Sequence, residues 1–244
     1  MSPAGLAWEQ FRLERKLFWR NPSAAFFSFG LPLMLLLLVA SVFASEPDQL
    51  QIVIPGIAGL SVMATTFNAL AINLTFRREQ GLLKRVRGTP MPAGSYFAGF
   101  LGNAVANACV QVALVIVIGH LIYDVTWPRD WAALIVFTLT GVITFGALGI
   151  AMSHAIPNYD SAPAYVNFVF LPVIFISGVF YSPDSLPPAL DAVAEALPLK
   201  HVVEGLSGGI VTGAGLGDNL GALAVVGLWG VAGVVLAVRG FRWE

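Results

Sequence analysis

Five of the thirteen Lys and Arg residues of this 244-residue chain fall within fifteen positions. The run reads Phe76-Arg77-Arg78-Glu79-Gln80-Gly81-Leu82-Leu83-Lys84-Arg85-Val86-Arg87-Gly88-Thr89-Pro90 and separates two long apolar stretches. A short basic helix held at a membrane surface suits the receipt of force or a signal from a soluble partner. The plainer reading is a positively charged loop that only sets topology. Arg78, Glu79, Lys84 and Arg85 are too charged for a bilayer, whereas Leu82, Leu83 and Val86 sit badly in water. A helix lying in the interface resolves both. Gly81 would permit a close backbone approach, and Pro90 would end the helix.

The other polar groups are isolated within apolar surroundings. Ser61, Thr65, Asn68 and Thr75 fall near one face of a second apolar stretch. Asn103, Asn107 and Gln111 recur every four residues in the third, and Asn167 stands alone in the fifth. Such side chains bond across helices or line a polar path. Nearer the C-terminus, Asp191, Glu195, Lys200, His201 and Glu204 would line an outer vestibule or pair with one another, and Lys200 and Glu204 lie one helical turn apart.

Covalent and metal chemistry find little to work with. Ser177-Gly178 could be set beside His154 or His201, but no Gly-x-Ser-x-Gly turn is present, and His154 and Ser177 approach opposite ends of their stretches. His120 and Asp124 lack third and fourth metal ligands. No Gly-x-x-x-x-Gly-Lys-Ser/Thr loop occurs, and the glycine-rich stretch from Gly208 to Gly217 has no lysine. The reading is therefore of no catalytic residue, no metal site and no nucleotide site in this chain.

Composition says what must position these groups. The chain is 57% hydrophobic and only 11% charged, against about 25% charged in soluble domains. Its apolar runs approach the roughly 20 residues that cross a bilayer as helix. Six spans are expected, at about Ala24–Ala44, Ile52–Thr75, Ser95–Tyr123, Trp131–Ile156, Ala162–Tyr181 and Asn219–Val238. The fold class is an all-α polytopic membrane protein in which residues 1–244 form a single transmembrane domain. Cys109 is the one cysteine and falls inside a span, so no disulfide framework is expected. Nothing near Met1 resembles a cleavable signal peptide.

Charge asymmetry orients the spans. One side collects Arg12, Arg15, Lys16 and Arg20, the five basic residues of the 76–94 loop, and Arg239 and Arg242. The other side has Arg129 and Lys200 alone. Both termini and the 76–94 loop are accordingly expected in the cytoplasm. Residues 1–23 read as an interfacial helix, because Leu6, Leu13 and Leu17 share a stripe and Trp8, Phe11, Phe18 and Trp19 suit the headgroup zone. Its charges are not cleanly segregated. Residues 182–218 carry Pro183, Pro187, Pro188 and Pro198 around apolar segments too short to span, which suggests a re-entrant outer hairpin serving as a lid or a gate.

Three local patterns resemble permease subunits of ABC transporters of the type-2, exporter class, especially the drug-resistance-type permeases. Arg78-Glu79-x-Gly81-x-Leu83-x-Arg85 with Thr89-Pro90 resembles their cytoplasmic coupling segment. Ser177-Gly178-Val179-Phe180-Tyr181 with Leu186-Pro187 resembles the end of their fifth helix. Leu197-Pro198-Leu199-x-x-Val202-Val203-Glu204-Gly205-Leu206 resembles their outer re-entrant segment, and Arg20-Asn21-Pro22 fits the entry to the first span. Two positions depart: Leu82 stands where a small hydroxyl residue is usual, and Lys84 where an acidic one is common.

The resemblance implies a transport subunit rather than an enzyme, with ATP and Mg²⁺ held by a separate cytoplasmic ATPase present in two copies. A second permease copy, identical or related, would complete the unit in the plasma (inner) membrane, in contact with lipid and with no nucleic acid. Residues 76–92 would couple to the ATPase through Arg77, Arg78, Glu79, Gly81, Leu82, Leu83, Lys84, Arg85, Arg87 and Pro90. Thr65, Asn68, Asn103, Asn107, Gln111 and Asn167 would line the substrate path, with Lys200, His201 and Glu204 at an outer gate. With no charged residue in mid-span, amphipathic drug-like or lipid-like cargo is favoured over strongly charged cargo. Polysaccharide or glycolipid export by the same fold, or a secondary carrier, are the alternatives. A carrier would want buried carboxylates and inverted repeats, and neither is visible.

Overall fold

The computed structural model describes residues 2–181 and 187–240, and among them there is no strand. Pro183, within the expected outer segment, Leu186 and Arg242 lie outside the described residues.

Helix α1 (Pro3–Trp19) starts where the Ser2 side chain accepts the Gly5 N–H at 3.2 Å, with Pro3 in the first position. It ends at Arg20, and Pro22 opens α2 (Pro22–Val42). Next come α3 (Pro47–Met63), a π turn at Ala64–Asn68 and α4 (Ala69–Glu79), which together form one continuous rod. The short α5 (Leu82–Arg87) follows, then α6 (Ala93–Tyr123), α7 (Trp131–Ala155) and α8 (Ala162–Ile176). Helices α9 (Pro188–Ala196) and α10 (Pro198–Ser207), a second π turn at Gly208–Thr212, and α11 (Leu220–Gly240) complete the described residues.

Among the described residues four rods are long and apolar enough to cross a membrane: Pro47–Glu79, Ala93–Tyr123, Trp131–Ala155 and Leu220–Gly240. Two further apolar helices are shorter, Ser28–Val42 within α2 and Ala162–Ile176. The fifth expected span therefore stops early. Its helix caps at Ser177, and Gly178 turns the chain with φ at +69°. Large apolar side chains such as Leu38, Leu121, Phe168, Leu228 and Val238 point outward, as they do on surfaces that face lipid.

The core is built around α3, buried from Val53 through Met63. Beside it, α10 is buried along almost its whole length and packs against α3, α7 and α11. A short helix buried all round is a core element even though it spans nothing.

Contacts sort the element ends into two groups. At one end, Arg78 at the end of α4 reaches the carbonyls of Ser153 and Ile156 at the end of α7. There too, Arg77 meets Tyr96 at the start of α6, and Gly240 lies against the His154 ring. At the other end, the Tyr123 hydroxyl donates to the Leu37 carbonyl at 3.0 Å, and the Arg129 and Asp130 N–H groups bond the Gly209 carbonyl at 2.9 and 3.0 Å.

Helix α1 lies along the first half of α6, running in the same direction. The Ser95 hydroxyl donates to the Pro3 carbonyl, Gly99 faces Ala7 and Gln10, Gly102 faces Phe11, and Arg15 reaches Asn107. At 31 residues α6 is about 46 Å long, beyond the roughly 30 Å of a hydrocarbon core, so its first turns can carry α1. Gly99 permits the approach: a Cβ there would stand 2.6 Å from Gln10 Cβ.

Candidate functional site

The basic run folds as an elbow. Arg77, Arg78 and Glu79 form the last turn of α4, Gly81 makes the bend, and α5 leaves in a new direction. Gly81 has φ at +66°, and a Cβ there would meet nothing within 4 Å. The glycine is required by left-handed backbone, not by the close approach that the sequence suggested.

Each side chain of that last turn grips a different element. Arg77 makes a two-pronged pair with Glu14 of α1, Nη1 to Oε1 at 2.7 Å and Nη2 to Oε2 at 2.6 Å. It also donates to the Tyr96 hydroxyl at 2.9 Å and lies 4.7 Å above the Phe100 ring. Glu14 is only 4% exposed and accepts from Gln10 Nε2 at 2.6 Å as well. Arg78 holds the two carbonyls at the end of α7, satisfying acceptors that a helix terminus leaves open. Glu79 accepts the Tyr159 N–H at 2.6 Å in the turn before α8, where Tyr159 also packs edge-on against Phe76.

Helix α5 is anchored by Leu83, buried with Leu70, Leu74, Tyr96 and Phe100. Its other face carries Lys84, Arg85 and Arg87, all exposed, with Leu82 39% exposed beside them. The Thr89 hydroxyl bonds back to the Val86 carbonyl at 2.6 Å and closes the helix ahead of Pro90.

Two adjoining cavities gather most of the in-span polar residues. The first, of about 620 Å³, is bounded by α1, α2, α4 and α6 and is lined by Thr65, Asn103 and Asn107 together with Asn73 and Arg77. The second, of about 760 Å³, lies between α2, the α3–α4 rod and α8, and is lined by Thr65, Asn68 and Asn167 among apolar side chains. Four lining residues, Ser28, Thr65, Ala69 and Asn73, are common to both. The π turn sits at this junction. Thr65 and Thr66 donate their hydroxyls to the Ser61 and Val62 carbonyls at 2.7 and 2.6 Å, competing with backbone donors for those acceptors. Gln111 lines neither cavity. It is fully buried and its amide nitrogen reaches the Phe29 carbonyl at 3.5 Å. Ser61 and Thr75 are spent on carbonyls of their own helix.

The α9–α10 hairpin is pinned by charge. Lys200 bonds Glu195 at 2.5 Å and Asp191 at 3.2 Å, both on α9. Its expected partner Glu204 stands at 4.0 Å and is engaged instead by His201 Nδ1 at 2.9 Å. The other ring nitrogen, Nε2, bonds the Glu195 carbonyl at 2.9 Å. Burial alone would lower the Lys200 pKa, but the hydrogen bonds that its ammonium donates to Glu195 and Asp191 overcome it and raise it. The hydrogen bond to Glu204 raises the His201 pKa against the pull of burial. Trp229 of α11 ties the hairpin to the bundle, its indole N–H donating to the Ala196 carbonyl at 2.7 Å.

The remaining candidates are structural. Ser177 is buried, while His154 lies at the opposite end against Gly240. His120 bonds the Val125 carbonyl at 2.8 Å and packs on Trp127. Among the described residues no group of three His, Cys, Asp or Glu side chains could hold a metal ion.

Sequence reasoning missed Glu14, Arg15, Tyr96 and Tyr159. The signal for Glu14 was present: with Gln10 it forms an i, i+4 polar pair that breaks the charge segregation of α1.

Comparisons with known proteins point to one family of membrane transport subunits. The chain is 22% identical over 164 residues to the inner membrane transport permease YadH of Escherichia coli K12, covering 67% of this chain and 64% of that protein. It is 28% identical over 150 residues to nodulation protein J of Rhizobium leguminosarum bv. viciae, covering 61% and 57%. It is 23% identical over 171 residues to the linearmycin resistance permease protein LnrN of Bacillus subtilis 168, covering 70% and 44%. The chain thus matches less than two thirds of the length of each of these relatives. The family model for ABC-2 type transporters matches residues 7–211, from α1 through the second π turn, and the chain belongs to that family.

Proposed function

We propose that this chain is the membrane-spanning permease of an ATP-driven exporter, carrying an amphipathic drug-like or lipid-like substrate from the cytoplasm or the adjoining leaflet. A separate ABC ATPase, in two copies, supplies the energy, and a second permease copy, identical or related, completes the path. In this reading six helices cross the plasma (inner) membrane, α2 and α8 included, with both termini and residues 76–94 cytoplasmic. The basic residue asymmetry supports that orientation.

The observation that carries the proposal is the elbow. Arg77, Arg78 and Glu79 fasten it to α1, to the end of α7 and to the turn before α8. Lys84, Arg85, Arg87 and Leu82 remain outward on α5. A partner that pushes on α5 would therefore move several helices at once instead of bending a loop. The outward residues are the docking surface, while buried Leu83 and the left-handed bend at Gly81 keep the lever stiff. ATP binding on the partner would then shift the permease between inward-open and outward-open populations.

The two adjoining cavities support a path past Thr65, Asn68, Asn103, Asn107 and Asn167. Gln111, fully buried and outside both, serves helix packing in this account. Lys200, His201 and Glu204 would govern the outer exit by holding the α9–α10 hairpin closed. The test is co-purification with the cognate ATPase in lipid, followed by a screen of amphiphiles for stimulated ATP hydrolysis. Stable assembly and stimulation by at least one amphiphile are expected. Purification without any ATPase, or hydrolysis indifferent to every amphiphile, would count against the reading.

A further inference from the structure

We propose that the cavity bounded by α1, α2, α4 and α6 is a binding site for the phosphate-bearing, anionic headgroup of a membrane phospholipid. The cavity measures about 620 Å³ and has Arg20, Arg77, Asn73, Asn103 and Asn107 in its lining. Charge around it is unbalanced. Arg77 is neutralised by Glu14. Arg15, which holds Asn107 by its side-chain carbonyl and lies 5.7 Å from the Trp19 ring, has no carboxylate within 4 Å among the described residues. Nor does Arg20. Arg20 in the lining, with Arg15 one residue behind the lining on Asn107, outweighs the Glu14 carboxylate that Arg77 already neutralises, and guanidinium groups beside amides suit a phosphate diester.

The surroundings select a lipid over a free anion. Trp8, Leu13, Leu17 and Trp19 of α1 are exposed, the amphipathic aromatic and apolar surface that rests at headgroup depth. Through Thr65 and Asn73 the polar room adjoins the larger cavity, whose walls include Leu31, Leu35, Ile72, Phe170 and Leu171. A polar chamber opening beside an apolar one fits a molecule with a charged head and an acyl tail. Inorganic phosphate would use only half of it.

The site shares residues with the transport path, so the assignment rests on the permease reading for the place of α1 at the bilayer surface. Binding can be measured without ATP or partner, which separates its failure from a failure of export. The purified chain, in a neutral detergent, is titrated with phosphatidylglycerol, with phosphatidylcholine and with inorganic phosphate, and bound lipid is counted by native mass spectrometry. Two cationic contacts of membrane-surface strength predict about thirtyfold preference for phosphatidylglycerol over phosphatidylcholine. Arg15→Gln combined with Arg20→Gln should erase most of that preference. Should the double variant fail to elute as the parent does, Arg20→Gln alone, at an exposed position, should still lose several-fold. Equal binding of the two lipids, or a preference untouched in a well-folded variant, overturns the proposal. Displacement of phosphatidylglycerol by millimolar inorganic phosphate would assign the site to free phosphate and overturn the lipid source.

Discussion

Arg77 and Glu14, sixty-three residues apart in sequence, meet through two parallel hydrogen bonds of 2.7 and 2.6 Å and join α4 to α1. Both side chains are well buried, at 15% and 4% exposure. Fork-to-fork geometry fixes orientation as well as distance, so the pair acts as a rivet between the basic elbow and the N-terminal helix.

Breaking this rivet on one side should be costly. Arg77→Met leaves the Glu14 carboxylate buried without its counter-charge, a loss of about 3 kcal/mol or more. Combining Arg77→Met with Glu14→Leu removes both charges and should recover much of that loss. Thermal unfolding of the two single variants and the double variant in detergent closes the cycle. Additive losses would mean that the pair contributes little.

At Gly81 the backbone, rather than crowding, restricts substitution. Gly81→Ala should cost about 1 kcal/mol, because the left-handed conformation penalises a Cβ. Gly81→Asn should cost less, since asparagine tolerates that region. Melting temperatures of the two variants test the order. Equal damage from both would point to steric contact with a neighbour.

The long helices were legible in the sequence because apolar length reports directly on what a bilayer would have to solvate. The α6, α7 and α11 rods follow the apolar runs within two residues at each end. The π turn and the early end of α8 were not legible, because threonine back-bonding and a positive-φ glycine leave the hydropathy pattern unchanged. The run from Phe76 to Pro90 read as one segment. In the structure Gly81 divides it into an inward-gripping half and an outward-facing half, and the distinction depends on partners more than sixty residues away. Lys200 was paired with Glu204 by helical spacing alone. The α9 acids prevail because the proline-punctuated turn brings them closer than one turn of α10 does.

His201 predicts a pH dependence. It faces Glu204 and Glu195, with Lys200 adjacent, and its pKa is raised by the bond to Glu204. A raised folded value stabilises the protonated form. The contribution is therefore complete below the ordinary value of 6.5 and is lost as pH rises through the raised folded value. Melting temperature should fall from pH 6 to pH 8, and His201→Gln should flatten that slope. A parent-like slope in the variant would remove His201 from the account.

Topology can be read chemically. With Cys109 replaced, a cysteine at Gln80 and one at Asp218 should label from opposite sides of the membrane, Gln80 from the cytoplasm. Labelling of both from the same side would overturn the six-crossing arrangement.

Helix α5 is the proposed surface for receiving force from an ATPase. Lys84→Glu combined with Arg85→Glu reverses two exposed charges and leaves Leu83 and the Arg77–Glu14 pair in place. Membrane insertion and the melting temperature should therefore stay within about 0.5 kcal/mol of the parent. The measurement is substrate-stimulated ATP hydrolysis, with efflux, in the complex assembled with the cognate ATPase. The expected result is a loss of assembly, or hydrolysis that no longer responds to substrate, with efflux down at least tenfold. Assembly, stimulation and efflux equal to those of the parent would show that α5 is not the coupling element.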